Sequence, residues 1–159
     1  MAVVQPIVQP YTGVQPYTGL VTRAIALVID ALIIQGVALV SGAVVGLLVE
    51  VLHVPDTVDT VIKAVGGAIY LVWALSYFVF FWSTTAQTAG AHIMRFRVLS
   101  ATTGEPLSIP RAIVRFFGLI LATIPLFAGF WPVLFTRRRR GLPDWMANTV
   151  VVDTDDALL

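Results

Sequence analysis

The chain has 159 residues, of which 58% are hydrophobic and 12% charged, with a mean hydropathy of +0.89. A soluble domain carries about 25% charged residues, so the composition excludes an ordinary soluble protein and points to one membrane-embedded domain. The net charge of +1 says nothing about partners, and the absence of cysteine excludes disulfides and thiolate metal sites.

Residues 1–19 repeat short units: Val-Gln-Pro at 4–6, 8–10 and 14–16, and Tyr-Thr-Gly at 11–13 and 17–19. Proline and glycine recur too often for a helix, so an uncharged disordered tail with polyproline character is expected, either a flexible leader or a docking motif. The first apolar stretch predicts a span over about residues 21–49, long enough to cross some 30 Å of hydrocarbon with tilt. No cleaved signal peptide is expected. The first basic residue, Arg23, lies far from the start, and the apolar stretch after it holds Asp30 and is too long for an h-region.

Arg23 and Asp30 are seven residues apart, so on a helix they share one face about 10 Å apart along the axis. An unpaired carboxylate at that depth costs at least ~2.5 kcal/mol, which a partner elsewhere in the fold must offset. Further along, Ala38, Gly42 and Gly46 form a small-residue row at four-residue spacing that lets another helix approach closely.

A loop at 50–59 carries three acids, and Asp59 or Thr60 is the expected cap of the next helix. Residues 61–82 predict a second span. Its aromatics, including Tyr70, Trp73 and Tyr77, read as an interfacial belt. Met94, Phe96 and Val98 then alternate with Arg95, Arg97 and Leu99, a strand pattern, and a second β-rich run occurs at 149–152. The two runs are expected to pair with each other or with 105–107, since a lone strand leaves its backbone groups unsatisfied.

Ser108 and Pro110 open a third apolar segment that reaches residue 135, interrupted by Pro125, Gly129 and Pro132. Two arrangements stay open for it. A plain third span puts Arg137, Arg138, Arg139 and Arg140 outside, against the positive-inside rule. Two full crossings need about 40 residues, more than residues 110–135 supply, so the other arrangement is a broken, re-entrant helix. That second arrangement returns the C-terminus to the cytoplasm with the N-terminus, leaves the 50–60 loop outside, and brings Asp144 to the depth of Arg23. Arg23 then serves Asp30 and Asp144 together, as a buried clasp or as an ion site.

At these residues the sequence resembles the RDD family of small membrane proteins, named for one arginine and two aspartates. The matching stretches are residues 17–30, the Gln87-Thr88-Ala89-Gly90 step leading into 94–99, Arg111, Arg115, Asp144 and 147–152. The resemblance implies that Arg23, Asp30 and Asp144 are the three name residues, in a bacterial membrane protein connected with transport and sometimes discussed as an ion exchanger, without established enzyme activity. Pro143 stands where members often carry histidine, so a proton relay through that position is not available here.

The expected architecture is an all-α membrane protein: two transmembrane helices, a broken or re-entrant (or third spanning) helix, and a small cytoplasmic β-hairpin or sheet. Residues 1–19 form the tail, 20–153 the membrane domain and 154–159 an acidic end. The expected role is a non-enzymatic accessory component of a membrane transport assembly in the bacterial cell membrane, with a protein partner or second copy and with lipid around it, and no nucleic acid. The alternatives are a cation/proton antiporter acting as a homo-oligomer, and anionic-lipid binding by Arg111, Arg115, Arg137, Arg138, Arg139 and Arg140. No phosphate loop, serine–histidine pairing or metal-ligand spacing occurs, so no catalytic residue, metal or cofactor is expected.

Overall fold

The computed structural model describes residues 17–123 and 139–154. The tail at 1–16, the interruptions at 125–132, Arg137, Arg138 and the acidic end from 155 lie outside them. Two long helices come first, α1 (Leu20–Val51) and α2 (Asp56–Thr84), each long and apolar enough to cross a membrane. Both exceed the expected spans at each end. Helix α2 starts at Asp56, earlier than the cap expected at Asp59 or Thr60, because Pro55 fixes the extended turn before it and Asp56 and Asp59 complement the first turn. Leu52 and His53 close α1 with a Schellman pair, His53 N–H to Glu50 C=O at 3.2 Å and Val54 N–H to Val49 C=O at 3.1 Å.

A short helix α3 (Ala89–Ile93) follows, then β1 (Phe96–Ser100), α4 (Ile109–Thr123), α5 (Leu142–Met146) and β2 (Thr149–Asp153). The strands pair antiparallel, Phe96 opposite Asp153 through Ser100 opposite Thr149. The pairing is a sheet rather than a hairpin, since α4 and α5 lie between its strands in the chain. Alternation buries Phe96 and Val98 on one strand and Thr149 and Val151 on the other. Tyr17 bridges Val152 on the free edge of β2, and Thr18 N–H donates to Val151 C=O at 3.2 Å. The residues before α1 therefore join the sheet, and segment 101–148 leaves and returns to that same end of the molecule.

The core gathers there. Tyr77, Phe78 and Trp82 near the end of α2 pack with Ala26, Ile34, Phe96, Val98 and Val151. Phe78 lies 5.1 Å from Trp82 and 5.7 Å from Phe116 of α4, ring centre to ring centre. Away from the sheet the helix pair is nearly bare. Leu39, Val40, Leu47, Val61, Val65 and Ile69 are all exposed, the arrangement expected of surfaces that lipid or other helices cover.

Candidate functional site

Asp144 is the hub of the buried charges. It sits in the first turn of α5, and its Oδ2 accepts from the Gly141 N–H at 2.9 Å, satisfying one of the amides that open the helix. The same oxygen accepts from Arg23 Nη1 at 2.6 Å. Oδ1 accepts from Arg115 Nη1 and, at 3.3 Å, from the Thr149 hydroxyl. Arg115 Nη1 also donates to that hydroxyl, and its guanidinium lies 5.1 Å over the Trp82 ring. A carboxylate has about four acceptor positions, and these four donors fill them. Asp144 is 1% exposed and both arginines 6%. The clamp thus ties together α1, α4, α5 and β2. Burial pushes the Asp144 pKa up, but the guanidiniums of Arg115 and Arg23 and the Gly141 amide outweigh it and hold the carboxyl below its ordinary value.

Asp30 forms a second, separate site. Its Oδ1 accepts from the Tyr77 hydroxyl at 2.8 Å and the Gly90 N–H at 2.7 Å, and its Oδ2 accepts from the Thr88 hydroxyl at 2.6 Å. Thr88 is also the N-cap of α3, where its oxygen accepts from Ala91 N–H at 3.2 Å. Among the described residues no ion pair reaches Asp30. This geometry needs α3 to lie directly on α1. A Cβ on Gly90 would sit 2.8 Å from the carbonyl carbon of Ala26, so glycine alone permits the approach. A cavity of about 40 Å³ is lined by both sites, including Arg23, Asp30, Thr88, Arg115 and Asp144, with Trp82 in its wall.

Three sequence expectations change. Arg23 does not serve Asp30 and Asp144 together: Asp144 takes it in the first turn of α1, while the Thr88–Gly90 step occupies Asp30 two turns on. Arg115 does not face lipid head groups, because it is buried in the clamp. Tyr77 belongs to the Asp30 site instead of an interfacial belt.

The other basic residues divide. Arg111 donates to Ser100 Oγ at 2.7 Å and Thr102 Oγ1 at 3.2 Å. Arg140 holds the Thr149 carbonyl at 2.8 Å and the Asn148 side chain at 2.7 Å. Arg139 is exposed and donates to the Tyr17 carbonyl at 3.1 Å. Ala38 is half-buried, and Gly42 and Gly46 face open space.

Sequence reasoning missed Tyr77, Thr88, Gly90 and Thr149 as parts of these sites. The only signal for any of them was the Thr88–Gly90 step, which carried family resemblance but no chemistry of its own.

The RDD family matches over residues 17–148, a stretch that contains both sites complete except for the hydroxyl of Thr149. The chain belongs to the RDD family. Among curated proteins it is similar to the "Proline-rich antigen homolog" of Mycobacterium tuberculosis, in strains CDC 1551 / Oshkosh and ATCC 25618 / H37Rv. Each is 34% identical over 89 residues, which is 56% of this chain and 36% of the relative. The chain thus spans about a third of those relatives' length. No solved structure matches the chain.

Proposed function

We propose that this RDD protein is a non-enzymatic accessory component of a membrane transport assembly. The observation that carries this reading is the bare outer half of the helix pair. Gly42 and Gly46 of α1 and Gly66 and Gly67 of α2 each have nothing within 4 Å of where a Cβ would stand. Small residues facing nothing on apolar helices are suited to close packing with other helices. The cavity of about 40 Å³ is too small to be a pathway through this chain, which favours transport at an interface with partner helices.

The reading includes a cytoplasmic sheet, with the N- and C-termini on that side, and an outside loop at 50–60, in a bacterial cell membrane. Its support is charge: Arg95, Arg97, Arg111, Arg139 and Arg140 lie in or beside the sheet and its loops, while Glu50, Asp56 and Asp59 lie at the other end of the helix pair. The test is isolation from native membrane in mild detergent. The chain is expected to migrate with a partner that the Gly42→Leu, Gly46→Leu double variant releases while remaining folded. A lone monomer with no companion sinks the reading.

A second reading, a cation/proton antiporter acting as a homo-oligomer, is favoured by one observation: Asp30 is a buried carboxylate on a cavity that reaches Asp144. Flux into proteoliposomes that vanishes in Asp30→Asn is the expected result. Absent flux in the native protein, or flux unchanged by the substitution, removes it.

A further inference from the structure

We propose that the cavity between Arg23 and Arg115 binds a small monatomic anion, with chloride as the physiological ligand. Three buried nitrogens around the clamp have no hydrogen-bond partner among the described residues: Arg23 Nε, Arg23 Nη2 and Arg115 Nε. Both arginines line the cavity, and each is more than nine-tenths buried. Buried donors of native proteins are nearly always satisfied, so three orphans on two neighbouring cations call for an acceptor.

The described residues do not supply that acceptor. Asp144 lines the same cavity, but its four acceptor positions are taken by Arg23 Nη1, Arg115 Nη1, Thr149 and Gly141. Asp30 already accepts three hydrogen bonds of its own. Much of the remaining wall is apolar, with Phe78, Phe96, Val98 and Val151 among its residues.

Two occupants have the right size, water and a halide. A cavity needs about 10–15 Å³ to hold one water, so about 40 Å³ is ample for either. Chemistry separates them. A water that accepts from the guanidiniums must place its own two hydrogens, and Asp30 alone retains an acceptor position among the cavity's side-chain carboxylates. A halide only accepts. Charge does not oppose a halide, since Arg23 and Arg115 balance Asp144 and Asp30 on the cavity wall and the three unpartnered donors all belong to the two cations. A cation is disfavoured by the unpartnered donors.

The test uses the full chain in mild detergent. Thermal unfolding is followed while chloride or bromide replaces gluconate at constant ionic strength. A saturable rise in Tm with both halides and none with gluconate is expected. In a variant with Trp73, Trp131 and Trp145 changed to Phe, bromide is expected to quench Trp82 saturably, and chloride to reverse the quenching, because Trp82 lines the cavity. Arg115→Lys keeps the charge beside Asp144 but removes the Nε donor, so it is expected to weaken halide affinity at least tenfold. Should that variant not fold, the Trp82 titration in the otherwise native chain decides alone. Identical melts in halide and gluconate, with no saturable quenching, overturn the proposal and leave the cavity to water. Halide affinity unchanged in a folded Arg115→Lys places the anion elsewhere and overturns it equally.

Discussion

At the scale of single residues, the clamp rests on an unequal pairing: two buried guanidiniums on one carboxylate. Removing one member of a buried ion pair leaves the other charge uncompensated and costs about 3–5 kcal/mol. Asp144→Ala is the harsher change, because it leaves both guanidiniums without a counter-charge and the Gly141 amide without its acceptor. Chemical or thermal unfolding in detergent is expected to rank Asp144→Ala at least as damaging as Arg23→Ala. The double variant is expected to lose less than the sum of the two, since the contact is shared; strict additivity argues against the pair. The pH dependence follows from the carboxyl. Its pKa in the folded protein lies below the ordinary value of 3.8, so the unfolded chain takes up the proton first as pH falls. The stabilisation is complete well above 3.8 and is lost as pH drops through that value toward the depressed one. Melting curves of the native chain are therefore expected to be flat near neutrality and to fall steeply in acid, with the steep part reduced in Asp144→Asn. An equally steep acid limb in that variant assigns the loss to another group.

At the scale of elements, close approach matters more than helix propensity. Helix α3 has only five residues and holds its place because Thr88 caps it and Gly90 lets it touch α1. Gly90→Ala drives a methyl into the Ala26 backbone, and overpacking of this kind costs about 1–3 kcal/mol or more. A lowered Tm, together with earlier exchange of the backbone amide at position 90, is the expected outcome; a native melt contradicts the packing described. An opposite effect is expected at the end of α1. His53 is exposed and adopts φ 49°, a left-handed conformation that costs a non-glycine residue about 1–2 kcal/mol. His53→Gly is expected to raise Tm modestly, and a fall argues that the His53 ring contact with the Val51 carbonyl at 3.1 Å outweighs the strain. The elements differ in how legible they were. Period-two alternation identified Phe96 and Val98 as one buried face, and length with apolarity identified α1 and α2. The Asp30 site was not legible. Its donors come from the end of α2 and from a turn some 60 residues away in sequence, and a tyrosine in an aromatic run carries no mark separating a hydroxyl donor from a belt residue. The role of Arg115 was hidden for a related reason: one turn from Arg111 it reads as half of a basic pair, and only the packing of α4 on α5 separates a buried arginine from its neighbour bonded to Ser100.

At the scale of the molecule, one constraint organises the rest. The sheet takes strands from positions 96–100 and 149–153 and a bridge from Tyr17. Backbone hydrogen bonds between these segments require them to occupy one side of any membrane the helices cross. The loop between α1 and α2 follows a 32-residue helix, whose rise is about 48 Å at 1.5 Å per residue, longer than the roughly 30 Å hydrocarbon core. That loop is therefore expected on the opposite side from the sheet, whichever compartment each faces. The chain lacks cysteine, so single cysteines report cleanly when an impermeant thiol reagent is applied to oriented vesicles. Cysteines placed at Thr103 and Thr154 are expected to label together, and one at His53 to label only from the other face. Gly104 has a positive φ in the turn after β1 and is left unchanged for that reason. Labelling of 103 and 154 from opposite faces contradicts the strand pairing itself, because no register joins strands across a bilayer. Labelling of all three from one face instead contradicts the crossing of α1 and α2. The two failures are separable, so the experiment tests the sheet and the span independently.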